Sequence, residues 1–236
     1  MEQYLGEFFG TMVLIIIGTG VCASINLKDS LGRGAGWLYI NIGWGMAVTF
    51  GVYTAAAFGA PGHLNPAITL AFAAFGNFSW NSVFGYLIAQ LLGAFVGAGI
   101  VAIHFYPHFK NAKEGKKDGN VVGIFATGSA TETSRFMNFL SEFIATAVFV
   151  FVLLKLGDFS QGLKPLIVGL LIMTIGNALG STTGYALNPA RDLMPRLAYS
   201  ILPIPNKTDS NWGYAWVPIA GPIAGALLAC AINLIH

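Results

Sequence analysis

Two asparagines draw attention first, because each stands where a polar side chain could act inside an apolar chain. Asn65-Pro66-Ala67 and Asn188-Pro189-Ala190 each open an apolar stretch of about ten residues, too short to cross ~30 Å of hydrocarbon. An Asn oxygen caps a helix and Pro suits the first helical position, so each triplet reads as a helix start. A helix that starts inside a membrane leaves unpaired backbone N–H groups and a partial positive charge at its tip. One such segment means little. Two, at corresponding places in two halves of a membrane protein, point to a site near the midplane. Each Asn oxygen is expected to cap its own helix, leaving the amide NH2 as a donor to the lumen.

Other groups gather around these triplets. Gly62, His63 and Leu64 precede the first, and Gly184, Tyr185, Ala186 and Leu187 precede the second, as extended, glycine-containing runs. Their carbonyls are expected to line a path as acceptors, since irregular backbone at that depth needs protein or water around it. Arg191 follows the second triplet directly. An Arg in an apolar membrane segment is costly and so a functional candidate, here a cation barrier and a set of donors at one mouth. Glu7 and Glu142 are the matching buried acids, read as acceptors for the backbone of the two loops. The two cysteines, Cys22 and Cys230, lie in apolar runs with no metal-ligand spacing and read as packing residues. No nucleophile–base set, metal cluster or cofactor motif is present, which argues against an enzyme; no metal and no cofactor are expected.

The elements that must hold these groups follow from composition. With 55% hydrophobic and 9% charged residues, against about 25% charged in soluble domains, the chain reads as an integral membrane protein. The basic residues sit in connections rather than on one face, so nucleic acid is not an expected partner. Met1 is followed by Glu2 and Glu7 with no basic leader, so the first apolar run is expected to be a retained span. Six full spans are expected, near residues 4–24, 37–58, 81–104, 136–156, 165–180 and 214–235, with half-helices from Asn65 to Phe75 and from Asn188 to Tyr199.

The halves repeat. Leu5-Gly6-Glu7-Phe8-Phe9 matches Leu140-Ser141-Glu142-Phe143-Ile144, and Ile88-Ala89-Gln90 matches the run from Ile219. Three full spans per half make the second copy an inverted one, so the chain reads as one channel domain of two repeats, 1–108 and 136–236. A polar loop, 109–135, is expected to join them in solvent. Gly93, Gly97 and Gly99 in the third span, and Gly221, Gly225 and Ala229 in the last, are candidates for close helix approach. The cluster Lys110, Lys113, Lys116 and Lys117 would by itself place the connecting loop in the cytoplasm.

With both triplets, Arg191 and the Glu7/Glu142 pair, the whole chain resembles the aquaporin, or major intrinsic protein, family. Asp192 and Arg196 after the second triplet, and Pro218-Ile219 in the last span, resemble its glycerol-facilitator branch. The resemblance implies an all-α membrane fold of six spans and two re-entrant half-helices, assembled as a homotetramer with a pore in every subunit. By position it also implies a selectivity filter of Trp44, Gly176, Tyr185 and Arg191. Gly176 is expected to widen that ring, and the Tyr185 phenol to add a polar atom to it. The function implied is passive passage of glycerol and other polyols with some water, excluding ions and protons. Protonated lactic acid, urea, and a non-conducting structural role are the alternatives. The family places both termini in the cytoplasm, against the lysine cluster, and the near absence of tails points to a bacterial cytoplasmic membrane.

Overall fold

The computed structural model describes residues 1–111, 121–131, 134–157, 159–160 and 162–235. In chain order it contains α1 (Glu2–Asn26), α2 (Trp37–Ala57), α3 (Pro66–Ala74), α4 (Trp80–His104), α5 (Tyr106–Asn111), α6 (Val121–Phe125), α7 (Arg135–Lys155), α8 (Lys164–Leu179), α9 (Pro189–Ile201) and α10 (Val217–Asn233), with no strand among the described residues. Among the described residues, five segments are long and apolar enough to cross a membrane: α1, α4, α7, residues 164–182 and residues 212–233. The sixth span is α2, whose 21 residues suffice in length. Its Trp37, Tyr39, Asn41 and Trp44 lower its hydropathy, and of these Trp44 lines the site described below.

The half-helices are as short as the sequence requires. α3 has 9 residues and α9 has 13, together about 33 Å of helix, one bilayer thickness when placed tip to tip. Each leaves its own half to pack, α3 against α10 and α9 against α4, so the two halves hold each other's broken segments. α1 lies against α2 and α4, α7 against α10, and α2 crosses α8. These crossings run through glycine. A Cβ on Gly97 would stand 2.7 Å from the Met12 carbonyl oxygen, one on Gly221 2.7 Å from Glu142 Cβ, and one on Gly45 2.7 Å from the Gly169 carbonyl oxygen. Gly93 and Gly225 face the carbonyls of Phe8 and Phe143 as closely. Gly99 does not share this role: its nearest neighbour is Leu202, at 3.7 Å. It sits on the other side of α4 from the Gly93–Gly97 stripe, because a two-residue step turns a helix by more than half a circle. The outward face of α4 carries Phe84, Ile88, Leu92, Val96, Ile100 and Ile103, all exposed at three- and four-residue spacing, a surface matched to acyl chains.

The connection between the halves departs from a solvated loop. Its lysines at 113, 116 and 117 lie outside the described residues, as does His236. Either side of them the chain folds back into the protein: Phe109, Ile124 and Phe125 are fully buried, and α6 packs on α1 and α9. Phe125 stacks between Phe109 and Tyr199 at 5.9 and 5.4 Å. The run Val121-Val122-Gly123-Ile124-Phe125-Ala126 is apolar enough to be drawn from water even though lysines precede it.

The tightness of the α1–α4 crossing can be measured. Gly93→Ala places a methyl group against the Phe8 backbone and should destabilise the protein by about 1–3 kcal/mol, whereas Gly99→Ala should be close to neutral. Thermal unfolding in detergent micelles, followed by size-exclusion profile, compares the two directly.

Candidate functional site

The two loops before the half-helices take the same shape by the same means. Leu64 and Leu187 have φ +50° and +53°, and three residues before each Asn stand Gly62 at +73° and Tyr185 at +35°. A left-handed leucine costs about 1–2 kcal/mol, so something must hold it there. Glu7 does so for the first loop, accepting from the backbone N–H of His63 (2.8 Å) and Leu64 (2.7 Å), with Gln90 Nε2 donating to the same carboxylate at 2.8 Å. Glu142 does so for the second, accepting from the N–H of Ala186 (2.9 Å) and Leu187 (3.1 Å) and from Thr183 Oγ1 (2.7 Å). With the N–H groups turned to the acids, the carbonyls of Gly62, His63, Tyr185 and Ala186 accept no hydrogen bond from the described residues.

The helix starts are capped as the triplets require. Asn65 Oδ1 accepts from Ala67 N–H at 2.9 Å; Asn188 Oδ1 accepts from Ala190 at 2.9 Å and from Arg191 at 3.3 Å. The amide groups do more than face the lumen. Asn65 Nδ2 donates to the Leu187 carbonyl at 2.8 Å, and Asn188 Nδ2 to the Leu64 carbonyl at 2.7 Å. Each Asn thus spends one N–H on the opposite loop and keeps one. The exchanged pair fixes the distance between the half-helix tips. Neither sequence half carries a sign of this bond, since its partners lie 122 and 124 residues apart.

Both asparagines open onto a cavity of about 500 Å³. Trp44, Val48, Val52 and Ala56 line it along α2, and Lys164, Pro165, Val168 and Ile172 along α8, so the cavity is elongated, running about 18 Å along α2. Leu14, Ile68, Phe72 and Phe149 complete an apolar wall; Gly62, His63, Leu64, Ala186 and Leu187 form the polar one. The four-residue stripe of α2 was readable in the sequence, but nothing there distinguished it from a packing face. Lys164 at the far mouth was not anticipated, because a single basic residue at a span end ordinarily marks a membrane boundary.

Trp44, Tyr185 and Arg191 meet at one end. The Arg191 guanidinium carbon lies 4.0 Å from the centroid of the Trp44 ring, a cation–π contact, and Nη1 donates to the Phe125 carbonyl at 3.4 Å. Among the described residues Arg191 has no carboxylate partner, so its remaining donors and its charge are left to the cavity.

Three expectations need correction. Gly176 does not line the cavity: a Cβ there would stand 2.6 Å from Tyr185 Cζ and 2.6 Å from Asn41 Oδ1, so the missing side chain seats the tyrosine ring. Tyr185 Oη adds no polar atom to the path, being buried and without a hydrogen-bond partner among the described residues. Gly184 packs against Thr127, with φ +85°, because the folded-back connection occupies the space beside it.

Asp192 and Arg196 stand behind the site rather than in it. Asp192 accepts from Arg196 Nε at 2.9 Å and Nη2 at 2.7 Å, and from Thr127 N–H and Oγ1 at 2.6 and 2.7 Å. Arg196 donates further to the carbonyls of Ser210, Asn211 and Thr127. This fully buried pair ties two segments to α9, one at Thr127 and one at Ser210–Asn211, and so holds the backbone that meets Arg191. Pro66, Ala67, Pro189 and Ala190 are buried first-turn residues, and Pro218 and Ile219 open α10; none of these six touches the cavity.

A family model described as Major intrinsic protein matches residues 1–233. The chain is 59% identical over 235 residues to "Glycerol uptake facilitator protein 2" of Lactiplantibacillus plantarum, covering 100% of this chain and 99% of that one. It is 48% identical over 227 residues to the "Glycerol uptake facilitator protein" of Bacillus subtilis, covering 95% and 81%. Its fold superposes on the X-ray structure of the aquaglyceroporin from Plasmodium falciparum with a TM-score of 0.84, at 31% identity, over 98% of this chain and 94% of that one.

Asp192→Ala leaves the Arg196 charge buried without its carboxylate and should destabilise the fold by about 3–5 kcal/mol. The double replacement Asp192→Leu, Arg196→Met should recover part of that loss. Unfolding temperatures of the three proteins in one detergent make the comparison.

Proposed function

The chain belongs to the major intrinsic protein family, and from that premise we propose that it is a passive channel for glycerol and other small uncharged polyols, with some water, that excludes ions and protons. The observation that carries this reading is the division of the conduit into two walls. A polyol has carbon along one edge and hydroxyls along the other. The apolar stripes of α2 and α8 suit the first, and the free carbonyls of the loops, the second N–H of Asn65 and Asn188, and the Arg191 donors suit the second. An inorganic cation gains little here, since few ligands replace its hydration shell and Arg191 opposes its charge. A proton chain is interrupted where two half-helix starts and two amide donors converge, because a water there must turn its oxygen toward both.

The filter assignment is Trp44, Tyr185 and Arg191, with Gly176 as the seat behind the Tyr185 ring and the Asn65/Asn188 pair as the second constriction. The relatives named as glycerol uptake facilitators support glycerol as cargo. The same reading takes the domain as two inverted repeats, 1–108 and 136–236, the assembly as a homotetramer in a bacterial cytoplasmic membrane, and the termini as cytoplasmic. On that topology Lys155 and Lys164 face the cytoplasm.

Stopped-flow light scattering of proteoliposomes tests the reading. Glycerol-driven relaxation should be faster than in protein-free vesicles; equal rates would end the proposal. Gly176→His drives a ring into Tyr185 and Asn41 and should cut glycerol flux on the order of ten-fold, with a smaller loss for water; equal loss of both would place the filter elsewhere. Arg191→Val should admit a cation or proton leak, read with an internal pH dye, where wild type shows none.

A further inference from the structure

Both aromatic residues at the Arg191 end carry a polar atom, and neither points it into the conduit. Tyr185 Oη is enclosed. Trp44 Nε1–H donates to Cys22 Sγ at 3.4 Å, and both residues are buried. Gly18, one turn before Cys22 on α1, completes the seat: a Cβ on Gly18 would stand 2.6 Å from Trp44 Cη2, so the six-membered ring lies directly on the helix backbone. Two residues of α1, four apart and on one face, therefore hold Trp44 by its two ends, the benzo edge on Gly18 and the pyrrole N–H on Cys22.

We propose that Cys22 is a positioning residue for solute selection: its thiol draws the Trp44 indole N–H out of the conduit, so that the filter presents hydrocarbon on its aromatic side and donors only from Arg191. The inference rests on the channel reading above and goes beyond it. An indole N–H turned into the conduit would bond water or a solute hydroxyl on the wall meant for carbon. It would also disturb the ring on which the guanidinium sits, since the Arg191 contact uses the Trp44 face. A cysteine suits the place because sulfur is bulky enough to fill the gap between α1 and α2 and is still an acceptor. In this respect Cys22 differs from Cys230, which is buried in α10 and accepts no indole hydrogen bond from the described residues.

The test uses full-length protein in proteoliposomes, with glycerol and water permeabilities measured on the same vesicles. Cys22→Ala removes the acceptor and should lower the glycerol-to-water permeability ratio about three-fold, the scale of one weak hydrogen bond. Cys22→Ser keeps an acceptor and should restore most of the ratio. In a Trp44→Phe background, which has no indole N–H, Cys22→Ala should leave the ratio unchanged. Should Cys22→Ala not assemble, Cys22→Val removes the acceptor while filling the space. A ratio equal to wild type in the acceptor-free variant, or the same change persisting in the Trp44→Phe background, would overturn the proposal. Wild-type vesicles no more permeable to glycerol than empty ones would instead overturn the channel reading itself.

Discussion

Two irregular loops at the middle of a membrane have to satisfy their backbone without the membrane's help, and the rest of this structure depends on how they do it. In hydrocarbon an unsatisfied peptide group costs several kcal/mol. Glu7 and Glu142 take up the N–H groups of both loops, from helices that begin each half. That one-sided satisfaction has a directional consequence. With donors turned inward to the protein, the acceptors are left on the other side, where a conduit passes. The same carboxylates stabilise the left-handed leucines that give the loops their shape. A charge buried for structural reasons thereby sets the polarity of a surface it never touches.

The asparagines close the arrangement. Each caps its own half-helix with oxygen and holds the opposite loop with nitrogen, so neither half-helix tip can shift without breaking a bond in the other half. The packing agrees, because α3 lies on α10 and α9 on α4. Glycine at the crossings lets the spans come close enough for a conduit lined by single stripes of α2 and α8. Close approach supplies the dispersion contacts that replace a hydrophobic driving force inside lipid.

Specificity in such a conduit depends on which atoms are withdrawn as much as on which are offered. The Arg191 end contains an indole, a phenol and a guanidinium, three groups able to donate hydrogen bonds. Packing leaves only the guanidinium facing the cavity: the phenol is enclosed beside Gly176, and the indole N–H is held by Cys22. The buried Asp192–Arg196 pair contributes from behind, fixing the Phe125–Thr127 backbone that Arg191 leans on.

Sequence alone determined the fold class, the six spans, the two half-length helices and the residues that begin them. These follow from local rules: how many apolar residues fill a bilayer, where Asn and Pro start a helix, and how an odd number of spans inverts a repeat. It also picked out Glu7, Glu142 and Arg191, since a charge in an apolar span is conspicuous without any structure. Only the tertiary structure decided where polar atoms point. Gly176 seats Tyr185, the tyrosine hydroxyl is hidden, Gly184 gives way to Thr127, and an apolar run after the lysines returns to the core. Each outcome depends on a neighbour far away in the chain, and the direction of a side chain is set by what it packs against, which no local pattern of residues encodes.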